Sequence, residues 1–293
     1  MAEYTRTMAE YTRRCGATVR KLYGLVSDRC WRPTGACDHG RVTDRIKRVK
    51  ACVNGGRGRD QHPGVPVTPA ELAAEAASAV ASGAEAVHLH ARGSHGRESV
   101  RADDVGAAVA AVRGACPGTP IGVSTGLWIT GGDVAARRAA VTAWQGLLGA
   151  ARPDFASVNV SEPGVGDMIE LLDAAGIAVE AGVWSVADAR VAAEIRPKTG
   201  WLRILVEIMA TDPGQSPETA ADQVLLELDK SGVTEPRLLH GEQETCWPLV
   251  SHAGRLGLPT RIGLEDTVTG PDGNPVSGNG ELVRLALRTF RAH

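Results

Sequence analysis

The sequence predicts an α/β chain closed into a (β/α)8 TIM barrel, preceded by an atypical N-terminal extension. Two observations carry the prediction. From Val49 onward, short and nearly continuous apolar runs alternate with amphipathic stretches rich in Ala, Leu, Val and Arg. That is the pattern of parallel strands buried on both faces and covered by helices. Eight such units occupy about 245 residues, matching a (β/α)8 barrel in number and length, whereas a doubly wound sheet would usually need fewer strands.

Residues 1–47 stand apart, holding all three Tyr, half of the Cys and ten Lys/Arg against five acids. The string Met-Ala-Glu-Tyr-Thr-Arg occurs at Met1–Arg6 and again at Met8–Arg13, too short and local for a solenoid repeat. The segment is Arg-rich, but its scattered acids and missing amphipathic stripe argue against a targeting peptide. It reads as a poorly ordered extension, with the barrel domain at 48–293.

The first strand runs from Val49 to Asn54 and ends at Gly55-Gly56. Thr68-Pro69-Ala70-Glu71 then opens a helix with an N-cap, Pro at the first helical position and an acid at the third. Further strands are expected at 86–90, 121–125, 155–160, 178–183, 202–208, 237–240 and 260–265, each followed by an amphipathic stretch.

Composition narrows the function classes. The chain of 293 residues carries 32 Lys+Arg against 34 Asp+Glu, so it has no overall basic field for nucleic acid or anionic lipid. No run of 18 apolar residues exists to span a membrane. Six Cys without a Cys-x-x-Cys pair or a secretory segment signal neither a zinc ribbon nor a disulfide scaffold, which makes the cytoplasm the expected compartment.

In such a barrel the chemistry sits at the C-terminal ends of the strands. There the sequence places Asn54 with Arg57 and Arg59, His88 and His90 with Arg92, Ser124 and Thr125, Asn159 with Glu162, Glu180, Glu207, His240 with Glu242 and Glu244, and Arg261 with Glu265 and Asp266. Strand ends need only cap a core, so this density of His, acids and Arg points to a site.

His88-Leu89-His90 is its sharpest element, because residues i and i+2 of a strand point the same way and two imidazoles can then share one metal ion. A third ligand is needed. Alternation along 260–265 puts Arg261, Gly263 and Glu265 on one face, and the last strand closes against the first, so Glu265 can complete a two-His, one-carboxylate site with open positions. Those ligands suit a Lewis-acid Zn²⁺, one per chain, although Co²⁺, Mn²⁺ or Fe²⁺ accept the same set. Arg261 can pair with Asp266 or with a substrate carboxylate.

Val67-Thr68-Pro69, Val87-His88-Leu89-His90-Ala91-Arg92, Ser124-Thr125-Gly126, Ser157-Val158-Asn159 and Arg261-Ile262-Gly263-Leu264-Glu265-Asp266, followed by Pro271-Asp272-Gly273 and Asn279, together resemble the β-keto acid cleavage enzymes, the 3-keto-5-aminohexanoate cleavage protein family. The resemblance runs from about Val49 to the C-terminus and leaves residues 1–47 without a counterpart. It implies a Zn²⁺-dependent acyltransferase that condenses a β-keto acid with acetyl-CoA and cleaves the C–C bond of the adduct, giving acetoacetate and a new acyl-CoA. It further implies His88, His90 and Glu265 as ligands, Arg261 and Asp266 as a proton-transfer dyad, and Ser124 as the hydroxyl assisting acyl and CoA transfer. Thr125 and Asn159 would orient substrate oxygens, with Asn54, Arg57, Glu162, Glu180, Glu207 and His240 completing the substrate-binding set. Family members are commonly homo-oligomers, with a tetramer favoured.

The chain departs from the amino-substrate members at Asn54-Gly55-Gly56-Arg57, where those carry a Thr-Gly-Ala-Glu type run, and at His240-Gly241-Glu242. Arg57 would suit a second carboxylate or a CoA phosphate, whereas Glu162, Glu180, Glu207 and Glu242 favour a cationic or hydrogen-bond-donating group, so the β-keto acid stays open. A metal-dependent barrel hydrolase, or another Zn lyase acting on a small carboxylated substrate, is the alternative. Hydrolases of that kind place His-x-His on the first strand and draw further His from middle strands, and here only His240 could serve. A barrel that merely binds would need no Arg261/Asp266 dyad.

Overall fold

The structure is a computed structural model that describes residues 46–291. Residues 1–45, nearly all of the expected extension, lie outside the described residues. Eight parallel strands follow one another around a barrel: β1 (Val49–Cys52), β2 (Ala86–Leu89), β3 (Ile121–Ser124), β4 (Phe155–Asn159), β5 (Ala178–Val183), β6 (Arg203–Ile208), β7 (Arg237–Gly241) and β8 (Thr260–Ile262). From β1 to β7 each strand pairs with the next, and β1 also pairs with β8. Between β7 and β8 the barrel is joined by Leu239 N donating to Pro259 O at 3.0 Å and Thr260 Oγ1 donating to Leu239 O at 2.8 Å.

A helix follows every strand: α1 (Pro69–Ala81), α2 (Ala102–Ala115), α3 (Val134–Thr142), α4 (Val165–Ala174), α5 (Val186–Glu194), α6 (Pro217–Lys230), α7 (Cys246–Leu256) and α8 (Asn279–Arg291). The start of α1 shows how locally these are specified. Thr68 Oγ1 accepts from Glu71 N at 3.3 Å while Glu71 Oε2 accepts from Thr68 N at 3.0 Å, so the cap and the third helical residue satisfy each other's free backbone donors.

Alternation along the strands separates two interiors. Val49, Ala51, Val87, Leu89, Val179, Ala181, Ile204 and Val206 face the helices and form the main apolar core. The other face points into the barrel, where Ile46, Ala86, Phe155, Leu202, Leu205 and Leu238 plug the bottom. Ile46 is buried in that plug, so the barrel unit begins ahead of the composition boundary at 47/48. Above the plug the inward face turns polar.

Two expected strands end two or more residues early. The first ends at Cys52 rather than Asn54, and the last ends at Ile262. Beyond Ile262 the chain turns, with Asp266 N donating to Gly263 O at 2.9 Å. Glu265 therefore enters the barrel mouth from a turn and not by strand alternation.

Candidate functional site

His88, His90 and Glu265 converge at the barrel mouth, each offering a ligand atom within 4.8 Å of the others. His88 is the third residue of β2 and His90 lies just past the strand end, so both imidazoles face inward, with ring centroids 5.2 Å apart. His88 Nε2 lies 4.0 Å from Glu265 Oε2, and His90 Nε2 lies 3.7 Å from Glu265 Oε1. Glu265 can sit over the imidazoles because Gly55 has φ 54° and no side chain; a Cβ there would overlap the Glu265 side chain.

The donors suit a divalent cation in chemistry as well as spacing. Two ligands at about 2.0–2.2 Å from one ion can be up to roughly 4.4 Å apart, and both His–Glu separations lie within that span. Burial holds the His88 imidazole well below its ordinary pKa against the pull of Glu265, which favours the neutral, ligating form. At His90 burial acts in the same sense but is outweighed by Glu265 and by the hydrogen bond to Glu98, so its pKa is raised. Burial also opposes ionisation of Glu265, yet Arg261 and the two imidazoles overcome it and keep it a carboxylate. Its Oε2 is buried without a hydrogen-bond partner among the described residues.

Arg261, on β8, ties the carboxylates together. Its NH2 group donates to Glu265 Oε1 at 2.9 Å and its Nε to Asp266 Oδ1 at 2.9 Å. Both contacts to Asp266 fall on Oδ1, and Oδ2 is buried without a partner among the described residues. Burial pushes the Asp266 carboxyl up to about 7 against the pull of Arg261, with the Glu265 charge adding to the rise. Nearby, His240 Nε2 lies 3.5 Å from Glu207 Oε2 and its Nδ1 lies 4.0 Å from Asp266 Oδ1. Burial and the Arg261 charge hold His240 down at about 4, and it is not one of the clustered ligands.

The mouth opens into a cavity of about 820 Å³. Of the residues expected at the site, His88, His90, Glu265, Arg261, Ser124, Asn159, Glu207, Glu242 and Arg57 line it. Asn54, Thr125, Glu162, Glu180, His240 and Asp266 lie outside its lining. Asn54 grips His90, its Oδ1 accepting from His90 N and its Nδ2 donating to His90 O, both at 2.9 Å. Thr125 Oγ1 donates to Ser157 O at 2.7 Å. Glu162 pairs with buried Arg137, accepts from Leu127 N at 3.1 Å, and accepts from Asn159 Nδ2 at 2.9 Å, which turns the Asn159 oxygen toward the cavity. Glu180 departs furthest from expectation. It is the third residue of β5, below the mouth and fully buried, and it pairs with Lys50 Nζ at 2.9 Å and with Arg203. An acid that far down the strand neutralises interior cations instead of meeting a substrate. Arg57 lines the cavity, but its guanidinium donates to Glu265 O at 3.1 Å and to the Gln243 side-chain oxygen and lies 3.7 Å from Glu242, so much of it is spent on neighbouring loops.

Sequence reasoning missed Trp128, Trp184, Ser157 and Gln61 in the cavity wall and Glu98 behind His90. These arrive on loops or in mid-strand without a spacing signature. For Glu98 the only available signal was an acid eight residues after a candidate ligand.

With this geometry in view, comparison with known proteins gives consistent findings. The family model described as beta-keto acid cleavage enzyme matches residues 48–293. Among solved structures, the ternary complex of ObcA with C4-CoA adduct and oxalate is similar at a TM-score of 0.62 and 19% identity, covering 78% of this chain and 64% of that one. The binary complex of ObcA with oxaloacetate is similar at 0.61 and 19%, covering 77% and 63%. The chain thus spans less than two thirds of the ObcA chains it matches. A type I 3-dehydroquinate dehydratase from Clostridium difficile is similar at 0.54 and 10% identity, covering 85% and 94%. At these identities the structural likeness speaks for the barrel fold.

Proposed function

The chain belongs to the β-keto acid cleavage enzyme family, and we propose on that premise that it transfers the acyl group of a β-keto acid to CoA, with acetyl-CoA as cosubstrate. Acetoacetate and a new acyl-CoA are the products. The observation that carries this reading is the convergence of His88, His90 and Glu265 beside the Arg261–Asp266 pair at the floor of one cavity.

When bound by His88, His90 and Glu265, a divalent cation, one Zn²⁺ per chain, supplies Lewis-acid polarisation of the substrate's keto and carboxylate oxygens. The chain's own residues do the rest. The proton on the carbon between the keto and carboxylate groups passes to Asp266 through Arg261, which lines the cavity, holds Asp266 Oδ1 and separates that carboxylate from the cavity. The resulting carbanion attacks the acetyl thioester and CoA leaves as the thiolate. CoA then attacks the original keto carbon, the bond from that carbon to the former acid's methylene breaks, and the carbanion released takes back the proton held at Asp266 to give acetoacetate. Atoms balance as one β-keto acid and one acetyl-CoA giving one acyl-CoA and one acetoacetate. Ser124 Oγ accepts from Gly126 N at 3.2 Å, which leaves its hydroxyl hydrogen to donate to the acyl oxygen as CoA is transferred. Asn159 and Glu207 present acceptor oxygens to the rest of the acid.

We also propose that the enzyme works in the cytoplasm as a homo-oligomer, with a tetramer favoured. Support for the compartment is that Cys52, Cys116 and Cys246 are free thiols. No helix among the described residues is long and apolar enough to cross a membrane.

The test is to incubate purified protein with acetyl-CoA and a panel of β-keto acids, following acetoacetate and new CoA esters by mass spectrometry. Acetoacetate with a matching acyl-CoA supports the reading. Loss of a β-keto acid without any new CoA ester would replace it with hydrolysis or another lyase reaction.

A further inference from the structure

Behind the cluster, one carboxylate touches both a ligand and the cavity wall. Glu98 Oε1 lies 2.5 Å from His90 Nδ1, and Trp128 Nε1 donates to the same carboxylate at 3.2 and 3.3 Å. Trp128 lines the cavity and stacks beside the His90 ring, with centroids 6.2 Å apart and planes 28° from parallel. Glu98 is brought there by a short turn after β2, in which Gly93 N donates to Arg97 O at 2.8 Å, Ser99 N donates to Ala91 O at 2.9 Å, and Arg92 bridges to Glu98 in antiparallel fashion. Its side chain is only 14% exposed. His88 has no equivalent support, since its Nδ1 is buried without a partner among the described residues.

We propose that Glu98 is a positioning residue that joins metal retention to the shape of the substrate cavity. By accepting from His90 Nδ1–H it fixes the tautomer whose Nε2 lone pair faces Glu265, and by accepting from Trp128 it holds the indole as a wall over the same imidazole. Carboxylates placed this way orient ligating imidazoles, and their loss typically lowers metal affinity about 10–100-fold. The two hydrogen bonds share one group, so a change at Glu98 reaches both metal and substrate, whereas a change at Trp128 reaches the substrate alone. The inference rests on the reading of His88, His90 and Glu265 as metal ligands.

The experiment uses the full chain and Zn²⁺ alone as probe, with affinity measured by competition against a chromophoric chelator for wild type, Glu98→Gln, Glu98→Ala and Trp128→Phe. The visible spectrum of the Co²⁺-substituted proteins is a second readout, and thermal unfolding of each metal-free protein checks the fold. The expected result is Zn²⁺ binding about 10–100-fold weaker in both Glu98 variants, with a changed Co²⁺ spectrum, at unfolding temperatures near wild type. Trp128→Phe is expected to bind Zn²⁺ within about twofold of wild type while its KM for the β-keto acid rises. If Glu98→Ala fails to fold, Glu98→Gln carries the test, since it keeps the shape but removes the carboxylate charge that pairs with His90. Wild-type affinity and an unchanged Co²⁺ spectrum in Glu98→Gln would overturn the inference while leaving the metal site intact. Failure of wild type itself to bind Zn²⁺ or Co²⁺ would instead overturn the ligand assignment beneath it.

Discussion

Asn54 holds His90 by both of its backbone groups, at 2.9 Å each, and is itself fully buried. The side-chain amide continues the β1–β2 pairing one step past the point where the strands diverge, and it does so at one of the proposed ligand residues. Asn54→Ala leaves a buried N–H and a buried C=O unpaired at His90. We expect a loss of about 2–6 kcal/mol in urea unfolding, from a cost of about 1–3 kcal/mol per unsatisfied buried group, together with weaker metal binding.

Glu180 neutralises Lys50 and Arg203 in the barrel interior, where none of the three side chains is more than 2% exposed. Removing the single anion leaves two buried cations together beside the Phe155 ring. Glu180→Ala is predicted to cost about 3–5 kcal/mol, the range for breaking a buried pair by removing one partner, as read from chemical denaturation. Any variant protein that still folds should keep its metal, because Glu180 reaches none of the ligands.

Asp266→Asn should separate catalysis from metal binding. The amide keeps the shape and an oxygen for Arg261 but cannot take a proton, so kcat should fall about 10²–10⁴-fold with metal content unchanged. A variant retaining more than a tenth of wild-type kcat would remove Asp266 from the proton-transfer role.

His240 makes stability depend on pH in the metal-free protein. Its imidazole titrates at about 4 when folded, below the ordinary value of about 6.5, chiefly because of burial and then the Arg261 charge. Between these values the unfolded chain binds a proton that the folded one does not, so this contribution to stability is present above pH 6.5 and is lost as pH falls toward 4. The slope from one such group is at most about 1.4 kcal/mol per pH unit. Denaturation at several pH values should show a shallower acid-side slope in His240→Gln than in wild type.

Gly263 lies where a Cβ would overlap the Cys52 carbonyl oxygen and press on Asn279 Oδ1, which accepts from Leu264 N at 2.9 Å. Gly263→Ala must therefore displace the turn that carries Glu265 and Asp266. Metal content per folded chain is expected to drop to a small fraction of wild type, measured by elemental analysis of the monodisperse protein.

The barrel was legible because its strands are buried on both faces and four of its helices carry side-chain caps of their own; Thr68 and Glu71 announce α1 before any tertiary contact is known. His88 and His90 were legible for a related reason, since alternation along one strand is a local property. The placement of Glu265 was anticipated for the wrong reason, as β8 stops at Ile262 and a turn does the work expected of alternation. Depth along a strand was harder to read. Glu180 and Glu207 look alike in sequence, yet β5 carries its acid at the third position and β6 at the fifth, so one lies among interior cations and the other at the cavity. Glu98 and Trp128 depend on how two loops fold back over His90, and no periodicity encodes that.

In the proposed reaction the acetyl group of acetyl-CoA ends in acetoacetate while the acid's acyl group moves to CoA. Acetyl-CoA labelled with ¹³C in both acetyl carbons, supplied with an unlabelled β-keto acid that the enzyme consumes, follows both groups when the products are read by mass spectrometry and NMR. The expected product is acetoacetate labelled in its methyl and keto carbons and unlabelled at the methylene and carboxylate, with an unlabelled new acyl-CoA in equal amount. Label remaining wholly in acetyl-CoA or free acetate while the β-keto acid disappears would rule this reaction out.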